Sequence, residues 1–494
     1  MRRSGYRVVW AVPLRLPARP RALPADLSLL RTAADQAFSR TAGAPLVGGN
    51  AVRVLRDATE NYPVWEQAML EARSSIHIEM YIFHLDEVGK HFVEILAAKA
   101  RSGVAVRVIY DWFGCGTGPR RGLFRPLIEA GGDVRAFNPP TLSAAFGWLR
   151  RNHRKLITID GRVAFISGLC IGRAWLGEPE KRREPWRDTG IEIIGPAVPY
   201  ADDAFAESWR LAGGNPADCL TGRVAAVPAG DVSLRLIPTE PFQANLLRLD
   251  LLVATLARKS LWITDAYFIG TGPYIEALKR AAHDGVDVRL LLPQDSDVGW
   301  TVPVSRSLYR PLLEAGVRIF EWNGTMVHAK TAVADGRWAR IGSTNLNLNS
   351  WIGNWELDVA IEHGATAALL QRHFEEDLER ATEIVLTGSE VDASPNVPTS
   401  VQRPARPSRR QRSSRRVART VTGVGRSLGA AVTGNRLLEN FEARPIAVAG
   451  ALLVALALTA VFAPATVAWP LAAIALYVGI TFLVEAWTTW RQHD

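Results

Sequence analysis

Short apolar runs alternate with amphipathic stretches along the body of the chain, and the alternation occurs twice. The segment Ala72-Arg73-Ser74-Ser75-Ile76-His77-Ile78-Glu79-Met80-Tyr81-Ile82-Phe83 parallels Ala257-Arg258-Lys259-Ser260-Leu261-Trp262-Ile263-Thr264-Asp265-Ala266-Tyr267-Phe268. Further on, Gly103-Val104-Ala105-Val106-Arg107-Val108 parallels Gly285-Val286-Asp287-Val288-Arg289-Leu290, and Leu127-Ile128-Glu129-Ala130-Gly131 parallels Leu312-Leu313-Glu314-Ala315-Gly316. Each unit reads helix, apolar strand, helix, apolar strand, helix. This order predicts an α/β fold with a mostly parallel sheet and helices on both faces. The duplication predicts two similar domains, residues 46–225 and 226–390, facing each other across a pseudo-two-fold axis. A site at that interface would draw one half from each.

A different pattern closes the chain. Forty residues, 445–484, carry no charge. At 1.5 Å per helical residue they extend about 60 Å, enough to cross a ~30 Å hydrocarbon core twice. Pro464 lies near the middle and can break the helix there. The expectation is a transmembrane helical hairpin, Ile446–Phe462 and Val467–Val484, with Trp469, Trp487 and Trp490 at the interfaces. The preceding segment, 393–444, is rich in Arg, Pro and Ser and reads as a disordered linker. Its arginines place it on the cytosolic side, beside anionic lipid head groups. A hairpin then keeps both termini and the body in the cytosol.

Charge refines the picture. The net charge of +9 suggests nucleic acid until it is located. Residues 1–25, read as an exposed basic tail, contribute +6, and residues 396–444 contribute +9. The body, 26–395, sums to −5. A nucleic-acid groove needs its basicity on the folded body, so nucleic acid is not expected as a partner. Three widely spaced cysteines, Cys115, Cys170 and Cys219, form no CxxC pair, which argues against a disulfide framework and a thiolate metal site and suits a reducing compartment.

The candidate chemistry stands at equivalent places in the two repeats. The first has His153-Arg154-Lys155-Leu156-Ile157-Thr158-Ile159-Asp160-Gly161. The second has His328-Ala329-Lys330-Thr331-Ala332-Val333-Ala334-Asp335-Gly336. Both read H-x-K-x4-D-G. With nine histidines in the chain, the number expected by chance is far below one. His and Lys at i and i+2 share one face of a strand, and Asp-Gly makes a tight hairpin turn. Two such pairs bring together two imidazoles and two ammonium groups, with no carboxylate or thiolate cluster to hold a metal. That set suits attack on a phosphodiester without metal or cofactor. One His acts as nucleophile, the other as general acid and base, and the lysines lie on the phosphoryl oxygens. Small polar residues follow each motif, Gly342-Ser343-Thr344-Asn345 and Ser167-Gly168-Leu169-Cys170. Asp188 and Glu356 lie further downstream, as candidates to accept a hydrogen bond from a motif His and fix its tautomer.

The two motifs, with Gly342-Ser343-Thr344-Asn345 after the second, resemble the phospholipase D superfamily. The resemblance is closer to bacterial cardiolipin synthases of the B type. It rests on Glu79-Met80-Tyr81-Ile82-Phe83, Ala98-Lys99-Ala100-Arg101-Ser102-Gly103-Val104, Val108-Ile109-Tyr110-Asp111-Trp112-Phe113-Gly114, Asn152-His153-Arg154-Lys155 and Asn354-Trp355-Glu356-Leu357-Asp358-Val359, and covers about residues 46–390. It implies an enzyme of the bacterial inner membrane that joins two phosphatidylglycerol molecules into cardiolipin and releases glycerol. His153 would form a phosphatidyl-histidine, and His328 would protonate the leaving glycerol and then deprotonate the acceptor. Lys155, Lys330, Ser343 and Asn345 would hold the phosphoryl oxygens. Asp160 and Asp335, although part of the catalytic motif, would mainly order the hairpins. Gly168, Asp188 and Glu356 would help to bind or orient. The sequence departs from the family pattern at Cys170, where Asn is usual, and at Asn347 and Asn349, where Asp and Arg are common. A hydrolase releasing phosphatidic acid is the alternative, with a nuclease behind it. Phosphatidylethanolamine stays open as a co-substrate, and the oligomeric state is not set by the sequence.

Overall fold

A computed structural model of the chain describes residues 25–140, 150–181, 183–220, 227–387 and 390–394, and five isolated positions between 458 and 480. Almost all of the basic tail, of the linker and of the expected membrane hairpin lies outside the described residues. Among the described residues no helix is long and apolar enough to cross a membrane.

The first repeat supplies β1 (Val47–Arg56), β2 (Ser75–Met80), β3 (Ala105–Asp111), β4 (Asp133–Phe137), β5 (Lys155–Ile159), β6 (Val163–Ser167) and β7 (Thr189–Ile194). The second supplies β8 (Val232–Thr239), β9 (Ser260–Thr264), β10 (Asp287–Pro293), β11 (Arg318–Trp322), β12 (Thr331–Ala334), β13 (Trp338–Gly342) and β14 (Glu356–Glu362). Two more strands, β15 (Ala381–Thr387) and β16 (Glu390–Ser394), extend the second edge. Hydrogen bonding runs β4-β3-β2-β5-β6-β7-β1 and, from β8, outward through β14-β13-β12-β9-β10-β11. The two orders mirror each other about the antiparallel β1–β8 pair, as a pseudo-two-fold relation requires.

The sheet is mixed, and this corrects the expectation of a mostly parallel one. Among the described strands only β2–β3, β3–β4, β9–β10 and β10–β11 pair in parallel. These are the pairs joined by helical crossovers, among them 87–101 and 272–283, which parallel strands need. The motif strands instead turn back through Asp160-Gly161 and Asp335-Gly336. All four residues have positive φ, between 52° and 63°, the backbone of a tight I′ hairpin turn. A short apolar run states that a strand is buried but not its direction.

Helices 57–71 and 87–101 cover one part of the first repeat, and helices 245–256 and 272–283 the matching part of the second; each part has its own apolar core. A third core is common to both repeats. It joins Ile166 and Ile193 of the first to Leu234, Val359 and Ile361 of the second, with Phe205 and Trp209 of helix 198–211. This shared core is what holds the two motifs against each other.

Candidate active site

The chain enters each motif strand through backbone hydrogen bonds to the other repeat. The His153 N–H donates to the Trp355 carbonyl at 2.8 Å, and the Trp355 N–H donates to the Arg151 carbonyl at 2.9 Å. In the second motif the His328 N–H donates to the Arg187 carbonyl at 2.7 Å, and the Arg187 N–H donates to the Met326 carbonyl at 2.9 Å. Trp355 and Arg187 each immediately precede a carboxylate, so the cross-repeat pairing delivers that carboxylate to the opposite histidine. His153 Nδ1 lies 2.8 Å from Glu356 Oε2, and His328 Nδ1 lies 2.7 Å from Asp188 Oδ2. The dyads are therefore crossed, each made from one histidine and the other repeat's acid. All four residues are buried.

A carboxylate on Nδ1 fixes the neutral ring with its proton there and leaves Nε2 as the free lone pair. Burial lowers the pKa of both histidines. The neighbouring lysines add to this, and the carboxylates oppose it without cancelling it. The resting rings are thus neutral, as a nucleophile or a general base must be. Burial opposes ionisation of Asp188 and Glu356 too, yet pairing with the histidines and the nearby lysine charges hold both carboxyls below their ordinary values.

The two lysines complete the set. Lys155 Nζ donates to its own motif's His153 carbonyl at 2.6 Å, and Lys330 Nζ likewise to the His328 carbonyl. Each ammonium lies over a tyrosine face, Lys155 over Tyr81 at 5.2 Å and Lys330 over Tyr267 at 5.8 Å. Both are almost fully buried. Desolvation, with the repulsion of Lys155, brings Lys330 down to about 8; desolvation lowers Lys155 as well.

His153, His328, Lys155, Cys170 and Asn345 line one cavity of about 560 Å³. Cys170 and Asn345 occupy equivalent places in the two repeats, so an amide on one side is matched by a thiol on the other. The outer wall includes Phe113, Trp300, Val304 and Leu348, all exposed large apolar side chains. Tyr81, Tyr267 and Trp186 pack around the imidazoles, a role that the sequence alone does not reveal.

Other candidates fall elsewhere. Asp160 and Asp335 sit at the far ends of their strands, outside the cavity. Asp160 accepts from the backbone N–H groups of Arg73, Ser74 and Ser75, and Asp335 from those of Arg258, Lys259 and Ser260. Each staples its hairpin to the start of the neighbouring strand. Ser343 is placed differently from the expected phosphoryl contact. It is fully buried, and its hydroxyl donates to Glu356 Oε2 at 2.6 Å, behind the dyad. Gly168 is the equivalent position in the first repeat, and a Cβ there would stand 2.1 Å from Asp188 Oδ1. Glycine is what lets Asp188 reach His328; Trp175 Nε1, at 3.1 Å, takes the donor role that Ser343 has on the other side.

A family profile described as "Cardiolipin synthase, PLD-like domain" matches residues 66–174 and 253–378, one segment in each repeat. A cardiolipin synthase of Alkalihalophilus pseudofirmus is 33% identical over 351 residues, which cover 69% of this chain and 68% of that protein. One from Geobacillus kaustophilus is 34% identical over 378 residues, covering 75% and 72%. The chain belongs to the cardiolipin synthase family of phospholipase D-like enzymes. The fold agrees: a phosphatidylserine synthase structure from Haemophilus influenzae superposes with a TM-score of 0.55 at 15% identity, covering 70% of this chain and 91% of that one. Membership makes the chain a phosphatidyltransferase of the phospholipase D type that works on phospholipids. Within this family frame, Gly168→Ala should push Asp188 off His328 and lower phosphatidyl transfer about 10²-fold, the usual cost of a misplacement near 1 Å. Steady-state rates measured beside a thermal melt check this. A fully active, folded variant would show that the Asp188 position is not needed.

Proposed function

We propose that the chain makes cardiolipin from two phosphatidylglycerol molecules through a phosphatidyl-histidine, with residues 46–225 and 226–390 as the two catalytic units. What carries the reading is a single cavity lined by both motif histidines, Lys155 and Asn345 under an apolar mouth, with a carboxylate behind each imidazole. His153 Nε2 attacks phosphorus and the P–O bond to glycerol breaks, while His328 gives the leaving oxygen its proton. The hydroxyl of a second phosphatidylglycerol then loses its proton to His328 and attacks phosphorus, and the P–N bond breaks to restore His153. An incoming phosphodiester brings negative charge beside Lys155 and Lys330, which offsets their repulsion of an imidazolium and lets His328 carry a proton when it is needed. The lysines and the Asn345 amide face the phosphoryl oxygens. Phe113, Trp300, Val304 and Leu348 at the mouth suit a lipid rather than nucleic acid. The expected setting is the bacterial cytoplasmic membrane, with the catalytic units on the cytosolic side.

The test is incubation of detergent-solubilised full-length protein with labelled phosphatidylglycerol, with and without EDTA. Cardiolipin and glycerol in equal amounts, unchanged by EDTA, are expected. Phosphatidic acid as the only lipid product would make water the acceptor and the chain a hydrolase.

A pH dependence follows from Lys330. Its cationic form is the one that holds an anionic phosphoryl group, and it loses its proton as pH rises through about 8. We expect kcat/KM for phosphatidylglycerol to fall above that pH. In Lys330→Arg the limb should move up by more than about one unit, since guanidinium keeps its proton. An unmoved limb would assign it to another group.

A further inference from the structure

His153 and Lys155 belong to a longer alternating row. The Asn152–Trp355 bridge keeps the approach to the motif extended, so that Arg151, His153 and Lys155 fall on one face. All three line the cavity. The residues between them point the other way: Asn152 donates to Glu79 at 2.6 Å, and Arg154 donates to the Ala204 carbonyl and Ser208 hydroxyl at 3.0 Å each.

Arg151 is incompletely satisfied. It is only 7% exposed, and a single hydrogen bond, Nη1 to Asp111 Oδ1 at 3.2 Å, engages its guanidinium. Its Nε and Nη2 are buried without a hydrogen-bond partner. Asp111 has little more to offer, because its oxygens already accept from the backbone N–H groups of Phe113, Gly114 and Asn152. Buried charged donors left unmade are costly and rare, and the group is a planar fork suited to a phosphodiester. The ring of Phe113 lies over it, 5.6 Å from Cζ, but Phe113 is 57% exposed and free on its outer side.

The feature exists on one side only. At the equivalent places the second repeat has Met326 for Arg151 and Pro293 for Asp111, two buried apolar residues, and neither lines the cavity. Transfer between two phospholipids is asymmetric in the same sense. One phosphodiester reacts at the shared centre, and the acceptor carries a second that does not. Along an extended strand Arg151 and His153 stand about 7 Å apart, a spacing that two phosphates on a three-carbon bridge can span.

We infer that Arg151 is the anion subsite for the phosphodiester of the acceptor lipid, reached when the Phe113 ring turns aside. This rests on the cardiolipin-forming reading given above. Glycerol as acceptor carries no phosphate and does not need the subsite, whereas phosphatidylglycerol does.

The experiment therefore measures two reactions of the full-length protein in the same vesicles of phosphatidylglycerol and phosphatidylcholine: cardiolipin formation, and exchange of labelled free glycerol into phosphatidylglycerol. In Arg151→Met, which copies the second repeat, the ratio of cardiolipin formation to glycerol exchange should fall at least ~10-fold. Arg151→Lys keeps a charge beside Asp111 but loses the fork, and guards against a misfolded first variant. Its ratio should fall ~3-fold and recover as the phosphatidylglycerol fraction rises. Equal losses in both reactions would make Arg151 structural and overturn the inference. So would a ratio in Arg151→Met equal to that of a wild type that does make cardiolipin. Glycerol exchange without any cardiolipin in the wild type would instead overturn the underlying reading, and the subsite with it. Finally, glycerophosphoglycerol, the deacylated phosphodiester, should accept less well than the lipid. Equal efficiency would assign the subsite to a soluble phosphodiester rather than a lipid head group.

Discussion

Replacing His153 with alanine should lower cardiolipin formation by about 10³-fold or more, the loss expected when a covalent nucleophile is removed from a site whose other groups remain. The size of the effect follows from what would be left. Lys155 and Asn345 still line the cavity and can still hold a phosphodiester, so substrate binding should change little and the loss should appear in kcat. Cys170 lines the same cavity but does not take over, because burial raises its thiol pKa and keeps it protonated. Quenching the wild type during turnover of labelled phosphatidylglycerol should trap an acid-labile, alkali-stable lipid adduct. The adduct should be missing from His153→Ala. Its presence there would move the nucleophile to His328, which the pseudo-symmetry permits.

Much of this site is legible in the sequence, for a local reason. His and Lys two apart in a strand must share a face, and Asp-Gly must turn the chain, whatever the rest of the fold does. The repeat likewise reveals that there are two such faces. What escapes is anything decided across the repeats. Glu356 and Asp188 can be picked as carboxylates, but their crossed assignment depends on the Asn152–Trp355 and Arg187–Val327 bridges, which join segments far apart in sequence. Ser343 reads as a phosphoryl ligand because a small polar residue after a strand can face either way; packing turns it behind Glu356. Strand direction is not legible because apolar runs carry none. Arg151 stands two residues before His153 and continues the same alternation, but it lies outside the H-x-K-x4-D pattern, which begins at the histidine.

Glu356→Gln should cost about 10²–10³-fold, because an amide keeps the shape of the carboxylate while removing the charge and the single-sided acceptor that fix the His153 tautomer. Glu356 Oε2 accepts from both Ser343 and His153, and Asn354 Nδ2 stands 3.3 Å from Oε1. If glutamine turns its NH₂ toward His153, Nδ1 becomes the acceptor and Nε2 the protonated nitrogen, which cannot attack phosphorus. Asp188→Asn should be comparably harmful through His328, and the two losses can be told apart by the leaving group. A nitrophenyl phosphodiester of the lipid departs without help from a general acid, so the first step should be largely restored in His328→Ala and Asp188→Asn. His153→Ala and Glu356→Gln should stay slow with it, because their defect is in the attacking atom. The crossed arrangement predicts that Glu356, from the second repeat, falls in the same class as His153 of the first. If Glu356→Gln were rescued and Asp188→Asn were not, each acid would be serving the histidine of its own repeat, or the two histidines would have exchanged roles. Trapping the adduct in His153→Ala separates these outcomes, since only exchanged roles leave a phosphatidyl group on that variant.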